Sequence, residues 1–287
     1  MLDPSTLPSW ASGWAPTVES RSAAISAHPV AGLAALLDAE PDLATPGAPL
    51  PPLWHWVALS QWPPGSHVGP DGHPRTGGFL PATPYPRRMW VGTAVELASA
   101  PAIGSDVVVD REVTDLVEKS GKQGDFALVT VTTTIRSSTG EPLVVERNQL
   151  AYRQPAAAGG AEQLATPAGP WLSRAGADAW RFAPDPVMLM WFSALTANAH
   201  RIHYDAPYAT GVEGYPSLLV HGPLMAMILG EVVRRDDADR ILASISVRAL
   251  RPMYLGMTAT ITRTSDTTLA LGADDGPAYM TAEVSYR

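Results

Sequence analysis

Phe126-Ala127-Leu128-Val129-Thr130-Val131-Thr132-Thr133-Thr134-Ile135, then Gly140-Glu141-Pro142, then the run from 143 to 152 is the stretch that sets the fold class. The first segment is rich in Val and Thr and nearly alternates, which is the pattern of a pleated, half-buried strand. Gly-Glu-Pro supplies the turn, and 143–152 returns antiparallel, so the stretch reads as a β-hairpin. The second half of the chain ends in the same way, with strands expected over 242–250, 257–264 and 278–287. The two endings can be laid on each other. Val95-Glu96-Leu97 is followed by Gly104, nine residues after Val95, and Val247-Arg248-Ala249 by Gly256, nine after Val247. A proline stands between in each case, Pro101 and Pro252, and each half finishes in Tyr-Arg, at Tyr152-Arg153 and Tyr286-Arg287. Such self-similarity predicts a duplicated α+β unit, each copy one antiparallel sheet packed on a helix.

The expected units cover 1–153 and 170–287, joined by a low-complexity linker over 154–169. Their helices differ. The spacing of Leu224, Met227, Ile228 and Val232 predicts a helix over 222–235. Gly222 and Pro223 stand at its start and Arg234-Arg235 in its last turn, where cations suit the helix dipole. The first half offers only 31–37 and 53–61, separated by the breakers from Pro46 to Pro52. One half therefore reads as catalytic and the other as a degenerate partner. Residues 63–86, dense in Pro and Gly, read as a long loop of the kind that often carries function.

Composition narrows the class. The chain has 287 residues, 46% hydrophobic and 17% charged, enough for a substantial core. A net charge of −8 argues against a nucleic-acid surface, which needs clustered Lys and Arg. The absence of cysteine removes thiol nucleophiles, disulfides and cysteine zinc sites together. No run of 18 apolar residues predicts a membrane span. Met1-Leu2-Asp3-Pro4 has neither the basic start nor the apolar run of a signal peptide, so a cytoplasmic location is expected.

The chemistry concentrates in Asn198-Ala199-His200-Arg201-Ile202-His203-Tyr204-Asp205 and in His221-Gly222-Pro223-Leu224. Proton-transfer groups facing a helix N-terminus suit acid–base work on an activated carbonyl compound. Each residue also has a plainer reading. His203 could be a core histidine bonded to a carbonyl, Asn198 a cap, and His221 a packing residue behind Gly222. Tyr204 and Asp205 either orient His203 or stabilise the following turn. His200, His203 and Asp205 match a metal site only loosely, so no metal is expected.

These segments resemble the hydratase motif of the MaoC-like enoyl-thioester hydratases. The closest likeness is to the two-domain branch with mesaconyl-CoA, itaconyl-CoA and 3-methylfumaryl-CoA hydratases and the type 2 hydroxyacyl-thioester dehydratases. The N-terminal half resembles the same branch at Leu53-Trp54-His55-Trp56, Asp71-Gly72-His73-Pro74, Gly77-Gly78-Phe79-Leu80-Pro81 and Pro86-Arg87-Arg88-Met89-Trp90. The resemblance implies a double hot-dog fold: a helix wrapped by an antiparallel sheet, twice in one chain. In many relatives an Asp stands five residues before the catalytic His. Here that spacing places Asn198 and His203, and an amide cannot accept the proton.

The resemblance thus implies reversible addition of water to the double bond of a short branched or dicarboxylic enoyl-CoA, with no redox cofactor and no metal. His203 is the expected general acid/base and Asn198 the group that positions water. The Gly222 N–H is the expected donor to the thioester oxygen. Arg87, Arg88 and Arg201 are candidates for a substrate carboxylate, and His73, His200 and His221 for lining the site. The rival expectations are a 3-hydroxyacyl-thioester dehydratase of fatty-acid synthesis and a non-catalytic module that binds an acyl thioester. Acyl-CoA is the expected partner, with no nucleic acid and no membrane. Two units in one chain mimic a hot-dog dimer, so a monomer and a homodimer both fit.

Overall fold

A computed structural model describes residues 2, 7–121, 124–154, 170–274 and 276–287. Nearly all of the expected linker, 155–169, lies outside the described residues.

The first half runs β1 (Glu19–Ala24), α1 (Ala27–Leu36), α2 (His55–Ala58), β2 (Arg87–Leu97), β3 (Asp106–Gly121), β4 (Gly124–Ser137) and β5 (Pro142–Arg153). The second runs β6 (Leu172–Arg174), β7 (Ala179–Phe182), α3 (Pro186–Leu195), α4 (Ala206–Gly211) and α5 (Gly222–Asp236). Its remaining strands are β8 (Leu242–Ala249), β9 (Ala259–Ser265), β10 (Thr268–Gly272) and β11 (Ala278–Tyr286). The expected hairpin is β4–β5, paired from Phe126↔Arg153 to Arg136↔Pro142.

The two expected sheets are continuous. Eleven strands run in the order β1-β3-β4-β5-β2-β8-β11-β10-β9-β7-β6, and β2 pairs antiparallel with β8 at the centre. The order on one side of that seam mirrors the order on the other, the signature of duplication. Gly104 and Gly256 lie 152 residues apart, and Ala94 pairs with Ser246 at the same offset across the seam. Both glycines take positive φ, +85° and +94°, in the turns that lead into β3 and β9. That backbone region explains why the repeat kept glycine there.

Matching hydrogen bonds align the helix entries. Leu50 N–H donates to the Pro101 carbonyl (2.8 Å) as Val220 N–H does to Met253 (2.9 Å), and Ile103 donates to Ala48 as Leu255 does to Leu218. Pro52 therefore stands where Gly222 opens α5. Pro51-Pro52 and a left-handed Leu53 (φ +68°) leave only the single-turn α2 at the place that corresponds to α5. α5, by contrast, runs 15 residues, as the apolar spacing predicts, and is buried on all sides from Leu224 to Val233. α1 packs on α3, with Gly32 facing the Leu195 side chain. Asp185 starts α3 by accepting the Met188 N–H (2.8 Å), and Pro186 fills its first position.

The first half carries a buried carboxylate in its core. Glu146 on β5 accepts from Trp56 Nε1 (2.9 Å) and Thr93 Oγ1 (3.0 Å) and pairs with His55 Nε2 at 3.1 Å. Burial alone would raise its pKa, but the bonds from His55, Trp56 and Thr93 hold it below the usual value. Removing one member of such a network leaves buried groups unpaired. Glu146→Ala is expected to lower the unfolding free energy by about 3–5 kcal/mol, measured by chemical denaturation, with Glu146→Gln costing less.

Candidate active site

The segment between α3 and α5 builds one wall of the site. Ala197 takes positive φ (+52°), and Asn198 Oδ1 then accepts the His200 N–H (3.1 Å), a local side-chain turn. A 3-10 turn at Arg201–His203 follows, and Asp205 caps α4 by accepting the Tyr208 N–H (3.1 Å). Arg201 pairs with Asp205 (2.7 Å) and lies over the Tyr208 ring (4.1 Å).

A loop from the other half closes on this wall. The Arg201 N–H donates to the Asp71 carbonyl (2.9 Å), and Arg201 Nη1 to the Pro70 carbonyl (3.0 Å). Gly72 (φ +92°) sits so close that a Cβ there would lie 1.7 Å from the Ala199 carbonyl oxygen. Only glycine meets both demands. Asp71 binds His73 twice, through the His73 N–H (3.0 Å) and through Nδ1 (2.9 Å).

Four imidazoles then run in a row. His73 lies on His200 with ring centroids 3.9 Å apart, His200 meets His203 edge-on at 5.5 Å, and His203 stacks on His221 at 3.6 Å. His203 Nδ1–H donates to the Leu219 carbonyl (2.8 Å), which fixes the tautomer and leaves Nε2 as the basic nitrogen. His221 is fully buried, with Nε2 on the Ser193 hydroxyl at 2.8 Å.

Burial, first of all, holds these rings neutral. It pushes His203 down to about 3 against the opposing pull of the Leu219 carbonyl, and His221 well below the usual histidine value. His200 falls to about 2 through burial and the neighbouring rings. His73 falls to about 4 through burial and the Arg88 charge, against the pull of Asp71. Burial would raise Asp71, but its bonds to His73 keep it ionised, well below the ordinary carboxylate range.

The site opens as a cavity of about 430 Å³ lined by His73, Arg88, Asn198, His200, His203 and Gly222. Gly222 holds the first position of α5, where an N–H has no acceptor within the helix. The Trp90 ring packs so near that a Cβ on Gly222 would lie 2.5 Å from it. Past Arg88, Asn148 and Leu150 the cavity continues into a groove of about 770 Å³ bordered by Trp62, Arg75 and Arg111.

Six of the nine sequence-derived site residues thus meet in one cavity, and three do not. Arg201 is spent on Asp205, Tyr208 and the Pro70 carbonyl. Arg87 pairs with Glu213 (3.2 Å) and lies over Tyr215 (4.3 Å), because alternate residues of β2 face opposite sides of the strand. His221 lies beneath His203 and lines no part of the cavity. Arg88 remains, with no ion pair among the described residues. Asp205 stabilises its turn rather than orienting His203.

Asp71 lies outside those nine residues and is brought to the imidazole row by the docked loop. Its signal, an Asp two residues before a His around a glycine, becomes meaningful only once the loop is seen to dock. Asp71, His73 and His200 each present a ligand atom within 4.8 Å of the others, the one such group among the described residues. Both Asp71 oxygens are committed to His73, so the group reads as a hydrogen-bonded dyad rather than an open metal site.

The family model for hydroxyacyl-thioester dehydratase type 2 matches residues 53–255. The chain is 40% identical over 227 residues to the mesaconyl-C(4)-CoA hydratase of Chloroflexus aurantiacus, covering 77% of this chain and 78% of that protein. It is 25% identical over 230 residues to the mitochondrial hydroxyacyl-thioester dehydratase type 2 of Schizosaccharomyces pombe, covering 72% and 75%. In structure it resembles a double hot-dog protein of Mycobacterium tuberculosis, with a TM-score of 0.56, 15% identity and 98% of each chain covered. The fold is therefore the double hot-dog, and the chain belongs to the hydroxyacyl-thioester dehydratase type 2 family.

Proposed function

We propose that this chain adds water reversibly to the double bond of a short, branched, dicarboxylic enoyl-CoA of the mesaconyl-CoA kind. The observation that carries the reading is His203, its tautomer fixed by Leu219, in one cavity with Asn198, Arg88 and the Gly222 end of α5. The relative in Chloroflexus aurantiacus, a mesaconyl-C(4)-CoA hydratase, supports the substrate class.

Hydration makes three demands. Water must lose a proton as its oxygen bonds to Cβ, Cα must gain one, and negative charge on the thioester oxygen must be stabilised. His203 Nε2 takes the water's proton. Asn198, with Oδ1 held by the His200 N–H, keeps an amide group at the cavity to orient that water. The Gly222 N–H, backed by the positive end of α5, meets the oxygen, a contribution of about 3 kcal/mol for one such donor. Arg88 holds the substrate's free carboxylate. The Trp62, Arg75 and Arg111 groove takes the CoA tail. No electrons change hands, so the reading assigns no redox cofactor, and it assigns no metal.

In this reading 170–287 is the catalytic unit and 1–153 a degenerate partner. Pro52, in the place of Gly222, has no N–H to offer an oxyanion. The chain acts in the cytoplasm, alone or as a homodimer.

The deciding assay follows the enoyl-thioester absorbance across crotonyl-, mesaconyl-, itaconyl- and decenoyl-CoA. His203→Ala is expected to lose turnover by about 100-fold or more. Preference for decenoyl-CoA would favour a fatty-acid dehydratase instead, and tight binding without turnover a binding module. Arg88→Gln is expected to raise KM about 10-fold or more for the dicarboxylic thioesters and to leave crotonyl-CoA nearly unchanged. An equal effect on both classes would rule out the carboxylate contact. The depressed histidines also link folding to pH. The unfolded chain takes up protons near the ordinary histidine value of 6.5 that the buried rings refuse. Stability is therefore full above that value and falls as the pH drops below it, by roughly 1 kcal/mol per pH unit per ring. Urea unfolding at pH 7.5 and 5.5 measures this.

A further inference from the structure

The hydratase reading leaves one proton without a source. His203 is occupied at the water, and Asn198 is an amide that cannot carry a proton. Asp205, the acid nearest in sequence, is spent on Arg201 and on the Tyr208 N–H. The carboxylate that does reach the imidazole row comes from the other half of the molecule. Asp71 holds the His73 ring through Nδ1 at 2.9 Å and its main-chain N–H at 3.0 Å. His73 lines the same cavity as His203, with His200 between them. Resting on the hydratase reading, we infer that His73, oriented by Asp71, is the acid–base group of the substrate's α carbon, while His203 serves the oxygen at the β carbon.

Three observations carry this assignment. Nδ1 of His73 is committed to a carboxylate, so Nε2 is left for the substrate. Holding a proton on a buried imidazole before charge develops on the substrate requires a resident counter-charge, and His73 has one in Asp71, whereas His203, with a neutral carbonyl behind it, gains a proton only as the enolate forms, and His221 faces a hydroxyl. The dyad is also rigidly placed: Gly72 lies flat on Ala199, and the Arg201 N–H holds the Asp71 carbonyl. The groups facing His73 are Asp71 from its own loop, His200 and His203 from the opposite wall, and Arg88 from β2. After burial, Arg88 is the charge that opposes a proton on His73. An anionic group bound at Arg88 cancels that opposition, so a dicarboxylic substrate helps to load the acid it needs.

The steps balance. In hydration the water oxygen bonds to Cβ and its proton passes to His203 Nε2. The π pair moves onto the thioester, whose oxygen faces the Gly222 N–H. The resulting enolate takes a proton from Nε2 of the His73 imidazolium, forming the Cα–H bond. His73 returns to the neutral ring with its Nδ1–H on Asp71. Solvent reloads His73 and unloads His203 between turnovers.

The reverse direction separates the two histidines. The 3-hydroxyacyl thioester is incubated in D2O, with α-deuterium followed by mass spectrometry and elimination by absorbance. In His203→Gln, elimination is expected to fall about 100-fold or more while α-exchange persists. In His73→Gln both fall together by a similar factor, and in Asp71→Asn both fall by about 10-fold or more, with KM little changed. Equal denaturation midpoints show that the variants fold. Retained α-exchange in His73→Gln overturns the inference, as does α-exchange abolished in His203→Gln alone. Chelator-sensitive exchange restored by zinc would overturn it in favour of a metal held by the Asp71 cluster. Wild-type hydration with full activity in both dyad variants leaves the hydratase reading standing without this assignment. Wild-type failure to hydrate or exchange any thioester overturns both.

Discussion

The antiparallel pairing of β2 with β8 is the contact on which the rest of the molecule depends. It turns two five- or six-stranded sheets into one, so each half loses an open edge that would otherwise present unpaired N–H and C=O groups. The same seam fixes where everything else can lie. β2 carries Arg88 and Trp90 to the mouth of α5, a helix of the other half. The loop ahead of β2 reaches across to close on the wall after α3. A site made by two halves of one chain follows from a main-chain ladder between them.

Duplication freed the halves to diverge. The second kept the long buried helix and a glycine at its start. The first placed two prolines at that point, gave up the helix after one turn, and filled its core around Glu146 with a histidine, an indole and a hydroxyl. The cost of burying that carboxylate is offset by complete satisfaction of its bonds. The divided roles are complementary. One half offers a helix end and His203, and the other a cation and the Asp71–His73 pair.

The electrostatics of the site follow from dryness. Four rings in contact cannot all be charged, and burial settles the matter by keeping each neutral. Neutral imidazoles with fixed tautomers are bases held ready, and the distribution of carboxylates then decides which can hold a proton. Only one of the four has a carboxylate on its ring nitrogen among the described residues.

Much of this was legible in the order of residues. Strand alternation at 126–135, the two glycines 152 residues apart, and the apolar run behind Gly222-Pro223 are local or periodic signals, and local backbone physics obeys them. The spacing of Asn198 and His203 likewise located one wall of the site, because both lie on one short turn. What the sequence could not separate were Arg87, Arg88 and Arg201. They look alike in the chain, and only packing shows that two are tied to Glu213 and Asp205 while one faces the cavity. Nor could it place His221 beneath the site rather than in it, or raise Asp71 above the other acids. The Arg87–Glu213 pair and the docking of Asp71 on Arg201 join residues more than a hundred positions apart, with a geometry set by the sheet register at the seam and by no pattern within either segment, whereas the Arg201–Asp205 pair and the place of His221 against Ser193 and His203 are set by how the wall between α3 and α5 packs.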